Sequence, residues 1–234
     1  MEEKKLSLGE SVAGLDKAQL FSVGALFLLG VLSIFSAGAG FEGRGAGFAT
    51  RQLLWGAVSI AAFLLTLKIG YEKFLREAYL LYGLSLVLLL SVMALGLTVK
   101  GSQRWIDLGF FRLQPTEFVK ITLVLVLAKH LCRYPPLNFL SFLGGLAVPA
   151  LSGILVLIQP DAGSAIVYGV ISFVAIVVAG APWRYPAGLL AIFTSLLPFA
   201  WRFLREYQKM RIRVFLDPWI DPLGAGYNVI QSRI

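Results

Sequence analysis

The stretch Ala78-Tyr-Leu-Leu-Tyr-Gly-Leu-Ser-Leu-Val-Leu-Leu-Leu-Ser-Val-Met-Ala-Leu-Gly-Leu-Thr-Val99 runs for 22 residues without a charged side chain. A bilayer core takes about 20 apolar residues of helix, so this segment is long enough to cross it. Its apolar residues do not alternate with period two, which argues against a barrel strand. Working outward, other stretches lack Asp, Glu, Lys, Arg and His: Ala18–Ala37, the shorter Gln52–Leu67, part of Tyr134–Pro160, Ala162–Trp183 and Tyr185–Trp201. One more helix is predicted over about Thr116–Leu131, with Glu117 and Lys120 near its start. These segments predict an all-α fold, a polytopic transmembrane bundle of about seven helices.

Composition agrees. Hydrophobic residues make up 58% of the 234, charged residues 15%, and the mean hydropathy is +0.79. A soluble domain carries about 25% charge, so the solvent for most of this chain is lipid. The formal charge of +8 points to anionic headgroups or an anionic ligand, and no interleaved basic and aromatic surface suggests nucleic acid. One cysteine, Cys132, excludes an internal disulfide and a thiolate metal cluster. Cys132 and the single histidine, His130, read as a helix end at the water boundary. Trp55, Trp105, Trp183 and Trp201 fall near predicted helix ends, as an aromatic belt requires. Residues 1–17 are too long and too mixed in charge, and the apolar run after them too long, for a cleaved signal peptide. Three segments result: 1–17 before the membrane, 18–201 spanning it, and 202–234 beyond it.

Charge does not settle orientation. With the N-terminus inside, nine of the 21 basic residues fall on the inner side, and six of the outer twelve lie after Phe199. The positive-inside rule alone would invert the chain. The late cluster asks for a local explanation such as ligand binding.

Four clusters stand out from the apolar background. Gly101-Ser-Gln-Arg104-Trp105-Ile-Asp107-Leu-Gly109 runs on into Gln114-Pro115-Thr116-Glu117-Phe-Val-Lys120. Pro115 suits the first turn of a helix, and Glu117 and Lys120, three apart, can pair. Charges at such depth normally face a protein interior or a wet cavity, so both are expected to face the bundle, with Asp161 nearby. Gln159-Pro160-Asp161-Ala-Gly163-Ser164 joins two apolar runs with almost no loop; Asp161 is either a helix cap or a site residue. Arg202, Arg205, Lys209, Arg211 and Arg213 interleave with Tyr207, Met210 and Val214, a pattern that lies in the interface and attracts anionic lipid. Arginine's planar fork suits phosphate. Last, Asp217-Pro218-Trp219-Ile-Asp221-Pro222-Leu-Gly224-Ala-Gly226-Tyr227, followed by Gln231-Ser232, is a shaped loop.

Arg104-Trp105-Ile-Asp-Leu-Gly with Gln114-Pro-Thr-Glu117, then Gln159-Pro-Asp161-Ala-Gly, then Phe215-Leu-Asp-Pro and Asp221-Pro-Leu-Gly-Ala-Gly-Tyr-Asn-Val-Ile-Gln231-Ser, resemble the SEDS family of bacterial cell-wall proteins in both order and spacing. The last motif is nearer the RodA branch than the FtsW branch. The resemblance implies about ten helices with both termini in the cytoplasm, in the bacterial inner membrane. It implies polymerisation of the lipid-linked disaccharide-peptide lipid II into glycan strands, during cell elongation, and a class B penicillin-binding protein as partner, besides membrane lipids. On it, Arg104, Trp105, Glu117, Lys120, Asp161, Arg211, Arg213, Asp221 and Gln231 are candidate substrate-binding residues. Arg104, Arg211 and Arg213 are expected to face the pyrophosphate. No tightly bound cofactor is expected; arginines or a bound divalent cation could supply the positive charge.

The family's catalytic aspartate is expected beyond Ile234, followed by further helices. The chain is accordingly expected to be an N-terminal piece, inactive alone, and Asp217 and Asp221 are not given that role. Two rival readings stay open, a flippase or transporter for an anionic lipid and a non-catalytic scaffold for a transpeptidase.

Overall fold

A computed structural model describes residues 14–39, 45–99, 102–109, 111–204, 206–224 and 226–232. Seven long helices follow the apolar runs: α1 (Lys17–Ala39), α2 (Gly45–Ile69), α4 (Ala78–Leu95), α5 (Pro115–Arg133), α6 (Phe139–Ile158), α7 (Ala162–Val178) and α8 (Arg184–Phe203). The short α3 (Tyr71–Arg76) leads into α4, and α9 (Glu206–Leu216), a 3-10 turn (Pro218–Ile220) and α10 (Tyr227–Gln231) close the described chain. Among the described residues, three helices are long and apolar enough to cross a bilayer by themselves: Lys17–Gly38, Gly45–Ile69 and Phe139–Ile158. Ala78–Ala94 and Ala162–Val178 are apolar but shorter. The protein is a polytopic membrane helical bundle.

Two features depart from the sequence reading. α2 starts at Gly45 rather than near Gln52, so Arg51 lies inside the helix and Trp55 sits well along it rather than at its end. The cause is local: residues 45–50 carry no charge and no proline, and nothing stops the helix before Arg51. The second feature is a small antiparallel sheet, β1 (Leu97–Val99), β2 (Ser102–Asp107) and β3 (Arg112–Leu113), in the order β1-β2-β3. Its register pairs Val99 with Ser102, Ile106 with Leu113 and Asp107 with Arg112. The turn between β2 and β3 uses Gly109 at φ 84°, and the Gly109 N–H donates to Asp107 Oδ1 at 2.8 Å. Apolar-run analysis is blind to strands this short.

α5 is the centre of the bundle, packed on α4, α6 and α7. Its buried stripe, Thr116, Val119, Leu123, Val126, Leu127 and Leu131, follows helical spacing. Leu89, Phe142, Val156, Tyr168 and Ile176 from the neighbouring helices complete the core. Several polar side chains inside find partners on neighbouring helices, as a low-dielectric surrounding demands. Ser85 Oγ lies 2.8 Å from Thr122 Oγ1 between α4 and α5. Tyr82 Oη donates to the Val148 carbonyl at 2.7 Å, one residue before Pro149 inside α6. Gly180, at φ 84°, ends α7 two residues after Val178.

α1 and α2 form a hairpin that packs chiefly on itself and reaches the bundle through α3. Trp55 also meets Phe111 edge-on at 6.1 Å, joining α2 to the β2–β3 turn. Gly56 lets the two helices close: a Cβ there would run into the Phe27 ring. Gly56→Val is therefore expected to destabilise the protein by about 1–3 kcal/mol. Phe27→Ala should relieve most of that overpacking. A double-mutant cycle on unfolding in detergent measures the coupling; additive effects would show that the two side chains do not meet.

Candidate functional site

The turn between α6 and α7 carries the site. Gln159 ends α6 and Asp161 caps α7; both side chains are buried, each residue only 4% exposed. Asp161 Oδ1 accepts from the Ser164 N–H at 3.3 Å and Oδ2 from the Ser164 hydroxyl at 2.7 Å. An ionised carboxylate at this depth also needs a cation. Arg104 on β2 supplies it, with Nη1 3.3 Å from Asp161 Oδ1 and Nη2 donating to the Pro160 carbonyl. The cap and the ion pair coexist on the same carboxylate.

Gln159 Nε2 donates to the Leu89 carbonyl at 2.7 Å and thereby ties the turn to α4. Its Oε1 is buried without a hydrogen-bond partner among the described residues. Tyr168, two turns below Asp161 on α7, donates to the Thr116 carbonyl at 3.0 Å and lies within electrostatic reach of both Asp161 and Glu117. Gln114 Nε2 lies 3.0 Å from Thr116 Oγ1 at the start of α5. The sheet, the start of α5 and the α6–α7 turn therefore meet at one end of the bundle.

Glu117 and Lys120 pair as expected, at 2.7 Å, but they do not face the interior. Their side chains are 55% and 30% exposed. The reason is helical phase: Thr116 and Val119 occupy the inward stripe, and Glu117 and Lys120 each follow by one residue, about 100° around the helix. Trp105, half-buried on β2, stands next to Arg104.

The remaining candidates lie elsewhere. Arg211 and Arg213 are exposed on α9, which packs chiefly on the 3-10 turn after it, and no described contact joins them to Arg104. In the first turn of α9, Lys209 bonds Glu206 at 2.8 Å and holds its carboxyl below the usual carboxylate range. Asp221 is used by its own loop: its carboxylate accepts from the Gly224 N–H at 3.1 Å and its carbonyl from the Gly226 N–H at 2.8 Å. A Cβ at Gly226 would collide with the Pro218 and Asp221 carbonyl oxygens, so only glycine fits there. Gln231 is exposed on α10. Arg205 lies outside the described residues. Tyr168 escaped the sequence reading, although Asp161, Ser164, Tyr168 and Ser172 form a polar line along α7 at helical spacing.

A helical membrane bundle with a buried Arg–Asp pair beside an exposed Glu–Lys pair defines the class of the protein. The profile of the cell cycle protein family that groups FtsW, RodA and SpoVE matches residues 17–234, and the chain belongs to that family. It is similar to the peptidoglycan glycosyltransferase MrdB of Escherichia coli, at 33% identity over 222 residues, 94% of this chain and 59% of that protein. It is also 33% identical over 232 residues to the probable peptidoglycan glycosyltransferase FtsW of Thioalkalivibrio sulfidiphilus, covering 94% of this chain and 57% of that one. Among solved structures it matches a chain of a peptidoglycan synthase complex that coordinates polymerization and crosslinking, with a TM-score of 0.77 at 33% identity over 94% of this chain and 64% of the other. Thermus thermophilus rod shape determining protein RodA matches with a TM-score of 0.66 at 31% identity, over 77% of this chain and 59% of that one. The chain thus spans about six-tenths of the curated relatives it matches.

The two ion pairs should differ in worth. Removing one partner of the buried pair, by Asp161→Ala or Arg104→Ala, is expected to cost about 3–5 kcal/mol, because the other charge stays behind without its counter-ion. Glu117→Ala should cost about 0.2–1 kcal/mol, since water or headgroups screen that pair. Chemical unfolding in detergent, followed by circular dichroism, ranks them; equal costs would show that the Asp161 environment is not low in dielectric.

Proposed function

We propose that the complete protein is a peptidoglycan glycosyltransferase that extends glycan strands from lipid II. The observation that carries this reading is the Arg104–Asp161 pair, held at one end of a family bundle whose similar relatives are named for that activity. An acceptor sugar hydroxyl attacks the anomeric carbon of the donor, and undecaprenyl pyrophosphate leaves. The developing negative charge calls for cations fixed beforehand. Arg104 is such a cation, clamped by Asp161 and the Pro160 carbonyl. Trp105, Glu117 and Lys120 line the same end of the bundle, where Lys120 can donate to a polar headgroup. In this reading Arg211 and Arg213, exposed on α9, add positive charge to the pyrophosphate site. Asp217 and Asp221 each accept backbone N–H bonds within their own loop, at Trp219 and Gly224, and the attacking base is not taken from them.

In this reading the N-terminus is cytoplasmic, the membrane is the bacterial inner one, and the site end faces outward, where lipid II is presented. The similarity to a chain of a peptidoglycan synthase complex supports a class B penicillin-binding protein as partner, a transpeptidase that cross-links the strands as they form. A divalent cation at the pyrophosphate is an assay variable, tested by adding a chelator.

In the full-length protein, Arg211→Gln with Arg213→Gln should weaken lipid II binding and polymerisation by the loss of about 1.5–3 kcal/mol per charge-assisted bond. The check is a gel of glycan products with a parallel binding isotherm; wild-type rate and affinity would leave these arginines as interface anchors. A lipid II flipping assay on the same preparation separates the transporter alternative: flipping without polymer would overturn the reading. Reporter fusions after residues 75, 140 and 234 should report inside, inside and outside. An inside signal at 234 would overturn the orientation.

A further inference from the structure

The two ends of the bundle treat their charges differently. The four carboxylate ion pairs among the described residues, Arg104–Asp161, Arg112–Asp107, Lys120–Glu117 and Lys209–Glu206, all lie at the site end or in the segment after α8. At the opposite end, helices α2, α3 and α5 finish and α8 begins, carrying Lys68, Lys73, Arg76, Lys129, Arg133 and Arg184. None of these six has a carboxylate partner among the described residues. With Lys17 and Asp16 at the start of α1, the described residues at this end carry seven cations against Asp16, Glu72 and Glu77, a formal excess of four charges.

Two of these cations, Lys129 and Arg133, stand beside the end of α3, where Arg76 is exposed. Lys129 and Arg133 are four apart in the last turns of α5 and so share a face. Lys129 Nζ donates to the Arg76 carbonyl, which ends α3, and lies 5.2 Å from the centre of the Tyr79 ring. Tyr79 Oη lies 3.1 Å from His130 Nδ1, and the His130 ring is 5.3 Å from that of Tyr134. The Arg133 guanidinium covers the Tyr134 ring at 5.6 Å. The tyrosines place the cations at the level where a helix leaves the hydrocarbon, the depth of lipid headgroups. Ordered cations without carboxylate partners, fixed at that depth by aromatic rings, are complementary to one kind of neighbour that is always present there.

We propose that Arg76, Lys129 and Arg133, backed by Tyr79 and Tyr134, form a binding site for the phosphate of an anionic phospholipid headgroup. The site lies at the far end of the bundle from Asp161 and does not depend on the glycosyl-transfer reading. With the orientation proposed above it takes its lipid from the inner leaflet. A phosphate between Lys129 and Arg133 receives an ammonium from one side and a planar guanidinium from the other. Its glycerol and first acyl carbons rest on the tyrosine rings. Holding that lipid ties α3 to the end of α5, the contact through which the α1–α2 hairpin joins the core.

The test uses the whole chain in a zwitterionic detergent, with native mass spectrometry counting bound phosphatidylglycerol against phosphatidylcholine. The wild type is expected to retain phosphatidylglycerol preferentially. Each charge removed near a membrane surface should weaken that binding about five-fold. Arg133→Gln, an exposed substitution that leaves the Lys129–Arg76 bond in place, should show this loss alone. Arg76→Gln with Lys129→Gln and Arg133→Gln should abolish the preference, and the unliganded melting temperature of each variant reports whether it has folded. Should the triple variant not fold, the single Arg133→Gln variant decides. Inorganic phosphate at the same concentration should not displace the lipid; complete displacement would mean a free-phosphate site and overturn the lipid assignment. Unchanged phosphatidylglycerol retention in folded Arg133→Gln would also overturn it.

Discussion

A carboxylate buried where α6 turns into α7 has to be neutralised where it stands, and much of the site end of the molecule follows from that need. Asp161 is fixed by the turn, and water cannot reach it well enough to solvate its charge. Its own helix offers the Ser164 N–H and hydroxyl. The counter-charge comes from Arg104, more than fifty residues earlier, so β2 must lie across the end of the bundle. The small sheet gives that strand a defined path between α4 and α5. The same turn reaches α4 through Gln159 and the Leu89 carbonyl, and α7 reaches α5 through Tyr168 and the Thr116 carbonyl. One desolvated charge thus organises contacts among four helices and a sheet.

α5 connects the two chemical ends of the protein. Its first two turns carry Pro115, Glu117 and Lys120, and its last two turns carry Lys129, His130 and Arg133. Between them an apolar stripe packs into the core, so the polar ends are held at a fixed separation by about 19 residues of helix at 1.5 Å each. The polarity of the helix favours the arrangement: an acidic residue in the first turn and basic ones in the last complement its dipole. At the site end Arg104, Arg112 and Lys120 are each matched by a carboxylate. At the other end Lys68, Lys73, Arg76, Lys129, Arg133 and Arg184 have no carboxylate partner among the described residues.

The apolar runs made most of the architecture legible. Spans at α4, α6, α7 and α8 follow from length and composition, because a bilayer accepts helix and rejects exposed backbone. The pairing of Glu117 with Lys120 followed from a spacing of three. Their outward aspect did not, since it depends on which stripe of α5 the neighbouring helices cover. The sheet was invisible for a similar reason: its strands are short, and their pairing is decided by chain segments brought together in space. Tyr168 stood in the sequence at helical spacing from Asp161, yet an isolated tyrosine in an apolar helix carries no sign of its partner.

What the sequence determined by itself was therefore the local and the compositional: membrane solvent, number and order of the long helices, and the motifs of the family. These depend on residues within a turn or two of each other, or on summed hydropathy. Only the tertiary structure decided that Arg104 is the cation for Asp161, that Gln159 and Tyr168 tie the helices beneath them, that Asp221 serves its own loop, and that Lys129 and Arg133 stand over tyrosines without carboxylate partners. Each of these joins a side chain to a specific place that packing, rather than sequence spacing, puts within about 3–6 Å, the range over which hydrogen bonds, ion pairs and cation–π contacts act.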